Sequence, residues 1–411
     1  MTTDGTTPER TTPDRASTRS GPLAGLLVAD FSRILAGPYA SMLLADLGAE
    51  VVKVESPGGD DTRSWMPPVR ETDDGTVSTY YLGINRNKRS VALDLKDADD
   101  LALAQELAQR ADVMLENFRP GGLARFGLDY ETVSATNPGV VYASISGFGS
   151  GPEGAKLPGY DLIVQAISGL MSLTGSPDGE PYRAGISVFD VMAGMHATIG
   201  TLAALNKRHE TGRGQHVEVN LMSSALSGLV NQSSAYVASG TVPMRMGNSH
   251  PSLFPYEPLP CSDGDLIVTA GNDGQFRKLV GVLGVPELAD DPRFRRNEDR
   301  TANRAELRPL LVERLATRPK DEWFREIIAA GVPCGPINTI EGGVAFAESV
   351  GLEPVVEVGE GAAMVPSVRH PIRLSETPPD YVLPPPRLDE HGAEIRAWLA
   401  QPTPPVETEE P

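Results

Sequence analysis

Short apolar runs alternate with longer segments that carry an apolar face along most of the chain. "LLVADFS" predicts a buried strand, "GPYASMLLADLG" a helix that ends at Gly48, and "AEVVKVE" a second strand. The alternation continues through "SVALDLK", "DADDLALAQELAQRA", "DVMLENF", "YETVSATN" and "GVVYASISGFG". Strands that alternate with helices predict an α/β fold around a parallel sheet.

The pattern changes in the second half, where "YEPLPCSDGDLIVTAGNDGQFRKLVGVLG" predicts a hairpin, a glycine-bearing turn and a helix. The ends of the chain lack periodicity, and we expect both to be disordered. We therefore divide the chain into a tail at 1–22, a large α/β domain at 23–224, a linker with a small α+β domain at 225–327, a return linker with the C-terminal part of the large domain at 328–400, and a second tail at 401–411.

Composition narrows the class of protein. A chain of 411 residues with 40% hydrophobic residues can bury a large core, and its formal charge of −19 argues against nucleic acid as a partner. No apolar run approaches the ~20 residues that span a bilayer, and the N-terminus lacks the apolar middle of a signal peptide, so we expect a cytoplasmic protein without a membrane partner. Two isolated cysteines and scattered histidines predict neither a disulfide nor a metal site.

Two acids stand at the starts of predicted helices, Asp190 in "GISVFDVMAGM" and Asp161 in "PGYDLIVQAIS". Each is explained most simply as a helix N-cap. Asp190 could also be a nucleophile, because the helix dipole and an ordinary pKa near ~4 would keep it ionised at neutral pH. If the two acids cooperate, their carboxylates must lie in one cleft.

Two glycine-rich stretches also allow two interpretations. "GNDG", Gly271 to Gly274, is a strand-to-helix loop or a mobile lid whose backbone N–H groups face a reacting carbonyl. "GFGSGPEG" resembles a dinucleotide loop, but no helix is predicted at its second or third glycine. A Rossmann dehydrogenase is therefore a weak alternative.

Several stretches in order resemble the class III CoA-transferases, from about Leu23 to about Ala400. They are "VADFSRILAGPYASMLLADLGAEVVKVESPG", "NRNKRSVALDLK", "ENFRPGGLARFGLDY", "SISGFGSGPEGAKLPGYD", "AGISVFDVMAGMHA" and "KRHETGRGQHVEV". The resemblance implies a ring-shaped chain, with a large Rossmann-like domain and a small domain joined by two linkers. It also implies an interlaced homodimer, with coenzyme A as a substrate and no permanently bound cofactor.

The resemblance also implies catalytic roles. Asp190 lies at the family's acyl-accepting aspartate, which forms a mixed anhydride and then an aspartyl-CoA thioester. Gly271 and Gly274 lie in the place of the family's glycine loop, and Asp161 where formyl-CoA transferase carries a second acid. Tyr160 replaces the histidine of the related racemases, and since tyrosine is a poor base near neutral pH, transfer is favoured over racemisation.

Basic residues in these motifs are solvated loops or anion contacts when taken alone. The resemblance implies contacts with CoA for one segment, namely Asn117, Phe118, Gly122 and Arg125. It implies the same, less directly, for Arg86, Lys88 and Arg89.

Leu35 stands where formyl-CoA transferase has a glutamine that contacts oxalate, which argues against formate and oxalate exchange. The sequence is instead similar to the succinate-hydroxymethylglutarate branch of the class III CoA-transferases. Succinyl-CoA or a similar dicarboxylic acyl-CoA is therefore the expected donor. A racemase, or a CoA-binding protein without activity, are the alternatives.

Overall fold

The computed structural model describes residues 20–72 and 75–402, so the predicted tails, 1–22 and 401–411, lie almost wholly outside the described residues. The strands are β1 Leu27–Asp30, β2 Glu50–Glu55, β3 Val69–Thr72, β4 Gly75–Ser78, β5 Lys88–Ala92, β6 Val113–Glu116, β7 Val141–Ser146, β8 His216–Asn220, β9 Tyr256–Cys261, β10 Gly264–Thr269, β11 Cys334–Pro336, β12 Val355–Val358 and β13 Val365–Val368. The helices are α1 Ala36–Asp46, α2 Thr79–Leu82, α3 Ala98–Arg110, α4 Tyr130–Thr136, α5 Asp161–Ile167, α6 Leu170–Leu173, α7 Val188–Thr211, α8 Leu221–Gly228, α9 Val230–Ser239, α10 Asp273–Val282, α11 Asn297–Ala302, α12 Arg304–Leu315, α13 Lys320–Ala329, α14 Ile340–Ser349 and α15 Gly392–Leu399.

A six-stranded sheet in the order β5-β2-β1-β6-β7-β8 organises the first part of the chain. Every neighbouring pair in it is parallel, which confirms the predicted α/β fold. The chain builds β2 and β5 outward from one side of β1, and then adds β6, β7 and β8 on the other side. The order therefore reverses between β1 and β6, and open parallel sheets bind ligands at the carboxyl ends of the strands beside such a reversal.

Alternating side chains of the sheet enter two apolar clusters, which explains why its strands are almost continuously hydrophobic. Val28 and Val51 belong to one cluster, together with residues of α1 and α7. Ala29 and Val52 belong to the other, together with residues of α3 and the C-terminal helix α15. The C-terminal helix α15 thus packs on one face of the sheet.

One helix in the described part of the chain, α7, is long and apolar enough to cross a membrane by length and composition alone. The expectation that no uninterrupted apolar run approaches ~20 residues concerned continuous runs, and α7 is interrupted by polar and charged residues such as Asp190 and Thr198. The helix places Ala204 and Leu205 in a core cluster, and core helices of soluble proteins pass the same test.

Helices α1 and α7 approach each other at Gly194. A Cβ atom at this position would lie 2.6 Å from the backbone oxygen of Ala36, closer than real Cβ contacts allow. We expect Gly194→Ala to lower the free energy of unfolding by about 1–3 kcal/mol, because a backbone oxygen cannot rotate away. Urea denaturation measures this effect. Gly151→Ala is the control, since its Cβ would meet nothing within 4 Å, and equal stability of the two variants would contradict the close approach.

By its contacts the chain forms two compact units. Among the described residues, unit 1 contains 20–72, 75–168, 185–233 and 353–402, and unit 2 contains 169–184 and 234–352. In unit 2, β9 and β10 form the predicted antiparallel hairpin, to which β11 adds a third strand. The guanidinium of Arg300 is fully buried in this unit and donates to the carbonyl oxygens of Phe254 and Phe294 at 3.0 Å each.

Candidate active site

A cleft of about 520 Å³ lies in unit 1 at the carboxyl ends of the strands next to the reversal in sheet order. Segments 33–36 after β1, 117–122 after β6 and 145–147 at the end of β7 line it, together with 157–160. Asp190, Arg125 and Leu221 complete its lining. The sheet topology therefore gathers segments that are more than a hundred residues apart in sequence.

Asp190 lies in the first turn of α7 and is one of the cleft residues. Its interpretation as a helix N-cap is wrong, because Ser187 occupies the cap position. The side chain of Asp190 is therefore not committed to capping, and it faces a space that can hold a ligand.

Asp161 is the first residue of α5, where Tyr160 occupies the cap position, so the N-cap interpretation is wrong for its own helix as well. Its Oδ1 instead accepts hydrogen bonds from two backbone N–H groups of α7, Phe189 at 2.7 Å and Asp190 at 3.3 Å. Its Oδ2 accepts one from the side-chain amide of Gln165. Asp161 is buried, with 6% of its surface exposed, and contacts the backbone of Asp190, but it is not among the residues that line the cleft. That both carboxylates share one cleft stays a prediction.

The pKa of Asp190 is not the ordinary one that we expected. Burial of the side chain, and then the negative charge of Asp161, raise it to about 7. The expectation of a fully ionised carboxylate at neutral pH was therefore wrong, because removal from water outweighs the favourable end of the helix dipole. Near pH 7 about half of the Asp190 side chains are ionised, and the ionised form is the nucleophilic one.

Tyr80 is a neighbour of both acids that sequence reasoning missed. Its hydroxyl is hydrogen-bonded to the side chain of Ser187, and its ring contacts Trp65 edge-on with ring centroids 5.1 Å apart. Burial raises the pKa of Tyr80, and the charges of Asp190 and Asp161 add to this effect. The stretch "STYYLG" gave no local signal, because only the fold brings α2 to the start of α7.

Tyr160 lines the cleft as predicted and is exposed. Arg125 also lines it, and its guanidinium lies over the Phe126 ring, 4.5 Å from the centroid. Within the part of the chain that the structure describes, Arg125 makes no ion pair, so its donors remain available to an anion. Gly122 needs to be glycine, because a Cβ there would lie 2.9 Å from the backbone oxygen of Arg119.

Two further predicted CoA contacts, Asn117 and Phe118, lie in the same wall. The side chain of Asn117 accepts from the N–H of Arg33 at 2.9 Å and donates to its carbonyl oxygen at 2.7 Å. The Phe118 N–H donates to the carboxylate of Glu116 at 2.8 Å. Burial raises the pKa of Glu116 to about 7, a second unusual carboxylate beside the cleft that the sequence did not reveal.

Lys88 and Arg89 lie outside the residues that line the cleft in the described structure. Lys88 is fully buried and donates to Asp30 at 3.2 Å, and Arg89 pairs with Glu50 at 2.7 Å. Burial lowers the pKa of Lys88 to about 8. The nearby Arg86 is buried against Asp46. Their roles in CoA binding stay predictions.

Gly271 and Gly274 belong to unit 2, where "GNDG" joins β10 to α10. The side chain of Asn272 accepts from the N–H of Gln275 at 2.9 Å and caps α10. Asp273 forms an ion pair with the buried Arg300 at 2.9 Å. The interpretation as a strand-to-helix loop is confirmed, and the role as a mobile lid stays a prediction.

The fold and the cleft define an α/β protein in which the carboxylate of Asp190 and the guanidinium of Arg125 line one cleft. The sequence matches the model of CoA-transferase family III over residues 23–392, and the chain belongs to this family. The succinate–glutarate CoA-transferase of Agrobacterium fabrum is 44% identical over 386 residues, which cover 93% of this chain and 96% of that protein. The acetyl-CoA:oxalate CoA-transferase of Acetobacter aceti is 40% identical, covering 93% and 97%, respectively. The succinyl-CoA:glutarate CoA-transferase of Homo sapiens is 38% identical, covering 91% and 85%.

Solved structures agree with this assignment. A CAIB/BAIF family protein from Brucella suis superposes with a TM-score of 0.84 at 43% identity, covering 93% of this chain and all of that one. Rv3272 from Mycobacterium tuberculosis superposes with a TM-score of 0.81 at 32% identity, covering 92% and 99%. The protein is therefore a CoA-transferase by family, and the relatives from Agrobacterium fabrum and Homo sapiens carry names that match the branch that the sequence resembles.

Proposed function

We propose that this protein transfers CoA from an acyl-CoA donor to a carboxylic acid, with Asp190 as the covalent acyl carrier. The observation that supports this most strongly is the position of Asp190 in the first turn of α7, in the same cleft as Arg125 and the segment 117–122. A cleft of about 520 Å³ falls in the range of small-molecule sites. The guanidinium of Arg125, which also lines the cleft, could donate to the phosphates of CoA.

The reaction consists of four transfers of an acyl group. The ionised Asp190 carboxylate attacks the thioester carbonyl of the donor, the C–S bond breaks, and CoA thiolate leaves a mixed anhydride. The thiolate attacks the aspartyl carbonyl, which gives an aspartyl-CoA thioester and releases the donor acid. The acceptor carboxylate attacks this thioester and forms a second anhydride, and CoA thiolate then attacks the acceptor's carbonyl. The products are the new acyl-CoA and free Asp190.

Burial of Asp190 serves this chemistry in two ways. A carboxylate with a pKa of about 7 is more basic than an ordinary one, so it attacks more readily once it is ionised. An anhydride also needs a site that excludes water, and we propose that the loop of Gly271 and Gly274 contributes to that exclusion.

Succinyl-CoA is the donor that we propose, with glutarate as the first acceptor to test. The succinate–glutarate and succinyl-CoA:glutarate names of the relatives from Agrobacterium fabrum, Mus musculus and Homo sapiens support this choice. The apolar side chain of Leu35 in the cleft suits the methylene chain of a C4 or C5 diacid better than oxalate. Mesaconate belongs in the same panel, because two relatives from Haloarcula are named for it.

The test is CoA transfer from succinyl-CoA to glutarate, hydroxymethylglutarate, malate, citramalate, itaconate, mesaconate and oxalate. We expect new acyl-CoA with at least one C5 or C6 diacid. An absence of transfer to every acid, combined with deuterium exchange at the α-carbon of a branched acyl-CoA, would instead establish the racemase alternative.

Arg125→Ala is expected to raise the KM for succinyl-CoA by about tenfold or more, since hydrogen bonds to charged groups contribute about 1.5–3 kcal/mol. Initial rates at varied succinyl-CoA and saturating acceptor measure it. Arg213→Ala is the matched control, because this arginine is also exposed but lies outside the cleft lining. An unchanged KM in Arg125→Ala would remove Arg125 from the CoA site.

We also propose a cytoplasmic, interlaced homodimer, as the family resemblance implies. An exposed apolar surface on α5 and α7 supports a protein partner, and consists of Leu162, Ile163, Ile167, Met195 and Ile199. Light scattering of the purified protein is expected to give the mass of two chains at every concentration tested. A mass of one chain would contradict the proposal.

A further inference from the structure

The loop from Ser32 to Ile34 leads from β1 into α1 and forms part of the cleft wall. Side chains from other segments bind its backbone. The N–H of Ser32 donates to Asp30 Oδ1 at 2.9 Å, and its carbonyl oxygen accepts from Lys53 Nζ at 3.0 Å. The N–H and carbonyl of Arg33 bind the side chain of Asn117. The backbone of this loop is therefore held by hydrogen bonds to side chains, rather than by the backbone–backbone hydrogen bonds of a helix or a sheet.

The contact between Lys53 and the carbonyl oxygen of Ser32 involves a buried ion pair. Lys53 and Asp60 have fully buried side chains and lie 2.9 Å apart. While Lys53 binds the carbonyl of Ser32, the Asp60 carboxylate accepts from the N–H of Ile34 at 3.2 Å and 3.3 Å to its two oxygens. One ion pair thus holds both ends of the loop.

Ile34 has a backbone conformation that its side chain opposes. Its φ angle is +70°, in the left-handed region, which β-branched residues avoid because the side chain crowds the backbone. Such a conformation persists only where the surroundings impose it, and it occurs mostly at functional sites. The carboxylate of Asp60 is the group that holds the N–H of this residue.

The conformation of Ile34 sets where α1 begins. Leu35 and Ala36 follow directly, and both line the cleft with Asp190. The backbone oxygen of Ala36 is in close contact with α7 at Gly194, one turn after Asp190. A relaxation of Ile34 would therefore shift the wall that faces the nucleophile.

We propose that the Lys53–Asp60 pair positions the cleft wall for transfer, by holding Ile34 in its left-handed conformation. Both are positioning residues, since they act through the loop and α1 and do not line the cleft. This inference rests on the proposed role of Asp190. It assigns to a buried ion pair a function beyond the stability of the fold.

The test is a double-mutant cycle that combines Asp60→Asn with Ile34→Gly, because glycine adopts a positive φ without strain. We expect Asp60→Asn to lower kcat for CoA transfer by at least about tenfold in the presence of Ile34, which equals about 1.4 kcal/mol. In the Ile34→Gly background the same substitution is expected to lower kcat by about threefold or less. Equal losses in the two backgrounds, or no loss in either, would overturn the proposal.

Glu71→Gln is the control for charge in this segment, since this acid is exposed on β3 and lies outside the cleft lining. We expect it to leave kcat within about twofold. A loss as large as that of Asp60→Asn would mean that any change of charge in this segment suffices, which also overturns the proposal.

Hydrogen exchange of the wild-type protein is a second test of the proposal, and it does not require that any variant folds. The amides of Arg33 and Ile34 are expected to exchange within about tenfold of those of β1, because they donate to the side chains of Asn117 and of the buried Asp60, respectively. Exchange at the rate of an open loop would contradict the positioning role. A wild-type protein without transfer activity would contradict the proposed function instead, and the exchange result would still decide whether the loop is held.

Discussion

Asp190→Ala is expected to lower kcat for CoA transfer by about 10⁴-fold or more, as the loss of a covalent nucleophile does in other enzymes. Without the carboxylate no anhydride can form, and the acceptor would have to attack the donor thioester directly. Initial rates with succinyl-CoA and the best acceptor measure the loss. Mass spectrometry of protein quenched during turnover should find an acyl or CoA adduct on the peptide that contains Asp190 in the wild type alone.

Glu153→Ala is the matched control, because its carboxylate is exposed and forms only a surface ion pair with Lys156. It should retain wild-type turnover. Activity of Asp190→Ala within about tenfold of wild type would refute covalent catalysis by Asp190, even if transfer itself is observed.

The rate of transfer is expected to fall about a hundredfold between pH 8 and pH 5, following the protonation of Asp190. Its pKa is raised to about 7, so the reactive ionised form dominates above pH 7 and decreases about tenfold for each further pH unit below it. The pH profile of kcat/KM for the donor reports this group in the free enzyme. A profile that stays flat from pH 8 to pH 5 would contradict the raised pKa.

Asp161→Asn separates the two causes of the raised pKa of Asp190, which are burial and the charge of Asp161. The variant removes the negative charge beside Asp190 but keeps a side-chain oxygen that can accept from the α7 N–H groups. We expect the acidic limb of the profile to move to lower pH and not to disappear, because burial remains the larger cause. If the acidic limb of the pH profile stays at the same pH, the charge of Asp161 does not affect the pKa of Asp190. Asp161 then serves only to hold the start of α7.

The elements of the sheet were predictable because each buried parallel strand is a short local run of apolar residues. β1 and β2 follow directly from "LLVADFS" and "AEVVKVE". The order of the strands was not predictable from the pattern, since it depends on contacts between distant segments. The position of the cleft follows from that order, so it became visible only with the fold.

Asp161 and Asp190 show the same limit of prediction from sequence within the candidate active site. Their positions at helix starts were predicted, but the pattern could not say that Asp161 binds the first turn of another helix. Nor could it predict the pKa of Asp190, which depends on burial and on a charge 29 residues away in sequence.

The basic residues of "NRNKRS" gave a misleading local picture, because charged side chains in a loop are usually exposed. Lys88 and Arg86 are buried, and their partners Asp30 and Asp46 lie 58 and 40 positions earlier in the chain. A buried ion pair has no local sequence signature, since each partner alone looks like a surface charge.

The close approach of α1 and α7 at Gly194 has a consequence for protein engineering. The backbone oxygen of Ala36 leaves no room at this crossing, so the start of α1 packs directly against the helix that carries Asp190. The side chain of Leu35, next to Ala36, lines the cleft and is not part of this backbone contact. Libraries that vary this one side chain should therefore change which acids fit, while the attacking oxygen keeps its place.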